Sequence, residues 1–195
     1  GYRTMFPVPL GEAASWDMAA IEQSARVGAI EAAAAGVHWT FAPMVDVARD
    51  ARWGRIMEGS GEDVYLGAQA AAARVRGFQG KDLAAPDTIA ACAKHYAAYG
   101  FAEAGRDYNT VDMSEQTLRN VVLPPFKAAA DAGVATFMNS FNEIGGIPAT
   151  GNLHLQRDIL KGEWGFQGFV VSDWGSIGEM IPHGFSENLE QAARQ

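Results

Sequence analysis

Apolar and polar positions change rhythm several times along this chain, and the changes mark out alternating helices and strands. Over residues 16–35 the apolar positions Ile21, Ala25, Ile30 and Ala33 roughly follow helical spacing, with Ser15 placed to cap the start and Gly36 to stop the end. A short apolar run, 37–42, reads as a strand. The Gly- and Arg-rich stretch 43–63 reads as a long loop, and Glu62 and Asp63 stand where acidic side chains favour a helix start. The Ala-rich stretch 64–78 is then a helix, ended by Gly80. Residues 88–93 read as a buried strand running into Lys94-His95, and 99–111 as a second long loop. Asp112 and Glu115 have capping-box spacing for the next helix. Pro124 and Pro125 must interrupt that helix and can restart one at Phe126, which Gly133 closes. Residues 134–138 read as a strand, 139–151 as a polar loop, and 153–161 as a helix capped by Asn152. A last strand, 169–171, ends in Ser172-Asp173-Trp174.

The strands are short apolar runs without polar alternation, and helices separate them. That is the pattern of a parallel sheet covered by helices, so the expected fold class is α/β. Polar residues gather just after the strands: Asp46 and Arg55, then Lys94 and His95, then Asn139 and Asn142, then Asp173. In parallel β/α folds, sites lie outside the carboxyl ends of the strands. Four strands make about half of a (β/α)8 TIM-type barrel, which usually takes about 250 residues. The expectation is therefore an incomplete barrel, with about half to two-thirds of it present.

Composition narrows the function classes. The 195 residues suit one domain, and 48% hydrophobic with 19% charged residues is the balance of a globular protein with a buried core. A net charge of −8 argues against a nucleic-acid partner, because phosphate binding needs a basic face. Cys92 is the single cysteine, which excludes an internal disulfide framework. No apolar run reaches membrane length. No signal peptide is visible, although the sequence starts at Gly1 rather than Met. The four histidines, 38, 95, 154 and 183, are widely spaced and match no metal-binding spacing, and no phosphate-cradling loop occurs, so no metal and no cofactor are expected.

Several residues carry possible chemistry. Asp173, at the mouth of an apolar strand, can serve as a nucleophile at a sugar's anomeric carbon; it can equally cap a helix beginning near Ser176. Trp174 offers a face to a pyranose ring. Lys94-His95 sets a cation beside an imidazole, a pair that suits a hydroxyl-rich ligand, the alternative being a solvated lysine and a core histidine. Arg55 can fork onto adjacent hydroxyls, and Arg52 can pair with Asp50 or Glu62. Glu58, Glu62 and Asp63 read as braces for these arginines or as helix caps before they read as a general acid. Met138 and Phe141 read as packing beneath the site.

Taken together, these stretches resemble the family-three glycoside hydrolases, in particular bacterial β-glucosidases. The matching segments are GYRTMFPVPLGEAASWD, FAPMVDVARDARWGRIMEGSGED, KHYAAYG, GRDYNTVDMSEQTLR, LPPFKAAADAG, NSFNEIGGIPAT and GFVVSDWGSI, in the family's order over nearly the whole chain. The resemblance implies the family's N-terminal catalytic barrel domain over residues 1–195, periplasmic or secreted, and retaining hydrolysis of terminal β-glucosyl residues. It puts the nucleophile on Asp173 and substrate-binding groups on Arg55, Lys94 and His95. Trp174, Met138 and Phe141 fall near the same sugar, Phe141 by a looser match. The implied partner is an oligosaccharide or other small glycoside, with no nucleic acid and no membrane, and the sequence carries no signature of an oligomeric state.

Two of the family's parts are not in the sequence. One is a sugar-binding Asp shortly before the first matching segment, and the other is an acid/base Glu on a following α/β sandwich domain. The N-acetylglucosaminidase branch instead uses a second His in its KH-containing loop, which here reads Lys94-His95-Tyr96-Ala97-Ala98-Tyr99-Gly100 without one. The expectation is that these 195 residues alone do not turn over glucosides and, with open sheet edges, are poorly soluble. The rival readings are a β-xylosidase of the same family, a non-catalytic carbohydrate-binding barrel, and a phosphosugar isomerase or aldolase using Lys94 as a Schiff base.

Overall fold

The structure, a computed structural model, describes residues 3–195; Gly1 and Tyr2, at the head of the first matching segment, lie outside the described residues. Its centre is a parallel sheet of three strands in the order β1 (Cys92–Tyr96), β2 (Thr136–Asn139), β5 (Phe169–Val171). Ala93 lies opposite Phe137, and Phe137 opposite Val170. A separate antiparallel pair, β3 (Glu143–Ile144) and β4 (Ile147–Pro148), forms a hairpin. The α/β class expected from the alternating pattern is present.

The first expected strand differs. Residues 38–45 do run parallel to β1, but as isolated bridges, Trp39 with Ala90 and Met44 with Lys94. The ladder breaks because the register slips: five steps of chain, 39 to 44, face four, 90 to 94, so the extended segment carries one extra residue. The second strand begins later than expected, so Lys94 and His95 are strand residues rather than its sequel. The hairpin was expected as loop. Gly145 and Gly146, with φ of 58° and 82°, supply the left-handed pair that a two-residue hairpin turn demands.

The helices pack on the sheet and on each other. Helix α1 (Pro9–Ala13) was not foreseen in the sequence. Helix α2 (Met18–Ala34) starts later than expected, because Asp17, not Ser15, accepts the Ala20 N–H; the Ser15 hydroxyl donates to the Glu12 carbonyl instead. Asp63 caps α3 (Val64–Gln79) as expected, taking the Leu66 N–H at 2.7 Å. Ser114, not Asp112, caps α4 (Glu115–Thr117). The two prolines do not break the chain's helical course. A π-helical turn, Leu118–Val122, precedes them, and they become the opening residues of α5 (Leu123–Asp131), where a missing N–H costs little. The π-helix His154–Glu163 is capped by Asn152, whose Oδ1 accepts the Leu155 N–H. After β5 come α6 (Ser176–Glu179) and α7 (Leu189–Arg194).

The main core lies between the sheet and α3, α5 and the π-helix. Tyr96, Phe126, Phe137, Leu155, Ile159 and Leu160 are fully buried there. Helices α2 and α3 close on Gly77: a Cβ at that position would stand 2.4 Å from the Glu22 carbonyl oxygen. A smaller aromatic core of Met44, Trp53, Tyr99 and Phe141 sits beyond the carboxyl end of the sheet. It anchors the two long loops to each other. Gly100 permits this, since a Cβ there would meet the Val47 carbonyl oxygen at 2.2 Å. Among the described residues no helix is long and apolar enough to cross a membrane.

Candidate active site

The carboxyl ends of the strands open onto a cavity of about 500 Å³ lined by Phe41, Arg55, Lys94, His95, Met138, Ser172, Asp173, Trp174 and Gly175. Six of the seven residues singled out in the sequence therefore share one cavity, although they come from four separate stretches. Each arrives on its own element: Lys94 and His95 from β1, Met138 from β2, Asp173 and Trp174 from the turn after β5, and Arg55 from the loop between two short 3-10 turns. The seventh, Phe141, does not line the cavity. It is buried behind it, edge-on to Tyr108 at 4.3 Å and tilted against Tyr99 at 5.9 Å. It follows β2 by two residues, where the chain turns back toward the aromatic core and carries the ring inward.

Asp173 is held from both sides. Its Oδ1 accepts the Trp174 N–H at 2.6 Å, and its own N–H donates to Asn139 Oδ1 at 3.3 Å. Its Oδ2 lies 3.5 Å from His95 Nε2 and accepts no hydrogen bond among the described residues. The side chain is 15% exposed, so it faces the cavity without being bathed in solvent. The reading of Asp173 as a helix cap fits the structure less well: Gly175, not Asp173, precedes α6, and no side chain caps that helix.

His95 is fully buried, with Asp46 on one side and Asp173 on the other. Asp46 Oδ2 accepts the His95 backbone N–H at 2.9 Å and stands 2.8 Å from Nδ1. The Tyr99 ring packs edge-on against the imidazole at 4.9 Å. Burial, with the Asp107 carboxylate nearby, pushes the Tyr99 hydroxyl well above its ordinary range. The reading of His95 as an isolated core histidine is thus replaced by a histidine wedged between two carboxylates.

Arg55 is braced as the sequence suggested. Its Nε and Nη2 donate to the two oxygens of Glu58 at 2.6 and 2.8 Å, and its guanidinium carbon stands 5.6 Å from the Tyr99 ring centroid. The Arg55 hydrogen bonds lower the Glu58 carboxyl below its ordinary value. Arg52 pairs with Asp50 and not with Glu62, holding the Asp50 carboxyl down at about 2. The Trp53 indole N–H donates to Asp107 at 3.0 Å, tying the first long loop to the second.

Two contributors had little sequence signal beyond their strand-end positions. Asp46 is 49 residues from its partner His95. Asn139 gathers the Asp173 N–H and the hydroxyls of Ser176 and Thr150 on a single oxygen, at 3.3–3.4 Å. Among the described residues no group of His, Cys, Asp and Glu side chains could hold a metal ion.

The chain shares sequence and fold with known proteins. The chain is 48% identical to the periplasmic beta-glucosidase of Salmonella typhimurium over its whole length, which is 25% of that relative. It is 38% identical to a beta-xylosidase of Formosa agariphila, with 99% of this chain covered and 27% of the relative. The crystal structure of beta-glucosidase from Listeria innocua in complex with isofagomine superposes with a TM-score of 0.95 at 47% identity, over all of this chain and 28% of that one. The chain thus spans about a quarter of the length of the relatives it matches. The model of the glycosyl hydrolase family 3 N-terminal domain matches residues 1–195, and the chain belongs to that family.

Proposed function

We propose that this chain supplies the nucleophile and most of the sugar-binding groups for retaining hydrolysis of terminal β-glucosides. One observation carries the reading: the Asp173 carboxylate lines the same cavity as Arg55, Lys94, His95 and Trp174. An ionised carboxylate fixed at a cavity wall can attack the anomeric carbon. The new ester bond to C1 forms as the glycosidic bond breaks, and water then cleaves the ester with net retention. Lys94, His95 and the guanidinium of Arg55 offer donors and acceptors for the ring hydroxyls, and the Trp174 indole, 92% exposed, offers an apolar face. The β-glucoside assignment rests on the relatives named as beta-glucosidases. By the same analogy the sheet is part of a (β/α)8 barrel, and the location is periplasmic or secreted.

The two carboxylates that brace the cavity's lining, Glu58 on Arg55 and Asp46 on His95, fit the leaving group's proton donor poorly. A general acid needs a raised pKa, and the Arg55 hydrogen bonds lower that of Glu58. Asp46 is committed to His95. The family resemblance puts this acid on a following sandwich domain, so we propose that residues 1–195 alone do not turn over glucosyl disaccharides, whose alkoxide leaving groups need a proton. Robust release of glucose from a glucosyl disaccharide by the 195-residue chain would refute this.

The nucleophile is tested by incubating an active, longer form of the enzyme with a 2-fluoro glucoside and mapping the labelled peptide. Label on Asp173 supports the mechanism. Label on another carboxylate removes it, and no label with retained sugar binding favours a binding-only domain. The relative named as a beta-xylosidase supports a second reading, xyloside hydrolysis at the same site. Paired rates on nitrophenyl glucoside and nitrophenyl xyloside decide between the two.

A further inference from the structure

Asp46 belongs to none of the roles above, yet it is almost fully buried and its one oxygen, Oδ2, meets both the main chain and the ring of His95. Its other oxygen, Oδ1, has no partner among the described residues. Burying a carboxylate with one oxygen unpaired costs free energy, and a group so placed calls for an explanation. Three observations say what depends on it.

The first is the double contact. Hydrogen bonds from the His95 backbone N–H and from Nδ1 to the same oxygen fix the imidazole relative to its own strand. The ring cannot turn about its side-chain bonds without losing one of them. The second is chemical. An ionised carboxylate only accepts, so the 2.8 Å contact requires a proton on His95 Nδ1. The third is what lies beyond the ring. Nε2 faces Asp173 Oδ2 at 3.5 Å, longer than a good hydrogen bond, and neither atom has another hydrogen-bond partner among the described residues.

We propose that Asp46 is a positioning residue that fixes the tautomer and aim of His95, so that Nε2 is the ring atom presented to a sugar hydroxyl beside Asp173. The charged and titratable groups around the ring are Asp46 on the loop after the first extended segment, Asp173 after β5, and Lys94 and His95 itself on β1. Glu58, paired to Arg55, and the Tyr99 hydroxyl complete the set. Of these, only Asp46 is in contact with Nδ1. The sugar-hydroxyl part of the proposal rests on the glycosidase reading; the tautomer part does not.

The test is nitrogen-15 NMR of the histidine rings in the active, longer form of the enzyme, with His95→Gln identifying the His95 signals by their loss. The expected result is a proton on Nδ1 at every pH where the chain is folded. Asp46→Ala should release it, so that in the neutral ring the proton shifts to Nε2. Asp46→Asn, which keeps the shape, should weaken glucose binding by about tenfold in calorimetry, the worth of one misaimed hydrogen bond. A wild-type ring lacking the Nδ1 proton overturns the proposal, and this arm needs no variant to fold. An unchanged tautomer in a folded Asp46→Ala chain also overturns it. If 2-fluoro glucoside labels a residue other than Asp173 while the Nδ1 result holds, the mechanism fails and the positioning role of Asp46 stands.

Discussion

At the scale of single residues, the cavity separates groups that react from groups that hold. Asp173 is the reacting group in the proposed mechanism, and the contacts at its backbone and at Oδ1 leave little freedom to its carboxylate. Asp173→Asn in the active enzyme should lower kcat at least about 10³-fold, as loss of a nucleophile does elsewhere, while substrate still binds. Single-turnover kinetics and calorimetry measure the two halves of that expectation. Cys92 illustrates the opposite case. It is fully buried, and desolvation pushes its thiol up to about 11. Almost no thiolate exists at neutral pH and reagents have no path to it. Iodoacetamide at pH 8 should leave Cys92 unmodified in the folded chain and label it fully in denaturant, as peptide mass spectrometry will read.

Elements fix the distances between these residues, and close helix packing is one way they do so. Replacing Gly77 by Ala gains up to about 1 kcal/mol of helix propensity. It also drives a methyl group to 2.4 Å from the Glu22 carbonyl and 2.6 Å from Ala25 Cβ, so α2 and α3 must part. Overpacking of this kind costs about 1–3 kcal/mol, and it wins. The expected melting temperature falls by a few degrees, read by circular dichroism. The loop that carries Arg55 depends instead on a charge pair. Because Arg55 lowers the Glu58 pKa, the pair contributes above the unfolded carboxylate's range, about pH 4.3, and its contribution is lost as pH falls through the lowered folded value. Glu58 is partly exposed, so the effect is local. Tryptophan emission, through Trp53 in the same loop, should hold steady from pH 7 to about 5 and change below about 4. Glu58→Gln should remove that step.

Across the whole molecule, one side of the sheet is finished and the other is not. The face toward α3, α5 and the π-helix holds the main core, whereas Phe41, Phe169 and Trp174 remain well exposed, and β5 stands at the edge of the sheet. Apolar surface of that kind recruits other apolar surface, and an open edge strand can pair with another chain. The 195-residue chain in isolation should therefore bind a hydrophobic dye and elute larger than a monomer at micromolar concentration. A dye-silent monomer would show that this face is less accommodating than its composition implies. The net charge of −8 works against association, and added salt should strengthen it by screening that repulsion.

The order of elements and the stretches that carry the chemistry could be read from the sequence because both are local properties. Periodicity separated helices from strands, Asp63 and Asn152 declared themselves as caps, and the residues after strands formed the candidate set. Boundaries that turned on competition between neighbours could not be read in this way. Asp17 displaced Ser15, Ser114 displaced Asp112, and a π-turn let Pro124 and Pro125 open a helix rather than break one. The long-range pairings lay further out of reach. Nothing near position 46 announces a bond to residue 95, and nothing near 139 says that its side-chain oxygen holds the main chain of Asp173. Such contacts join residues tens of positions apart, and only the stacking of parallel strands, each delivering its last residue to the same end of the sheet, brings them within hydrogen-bond range.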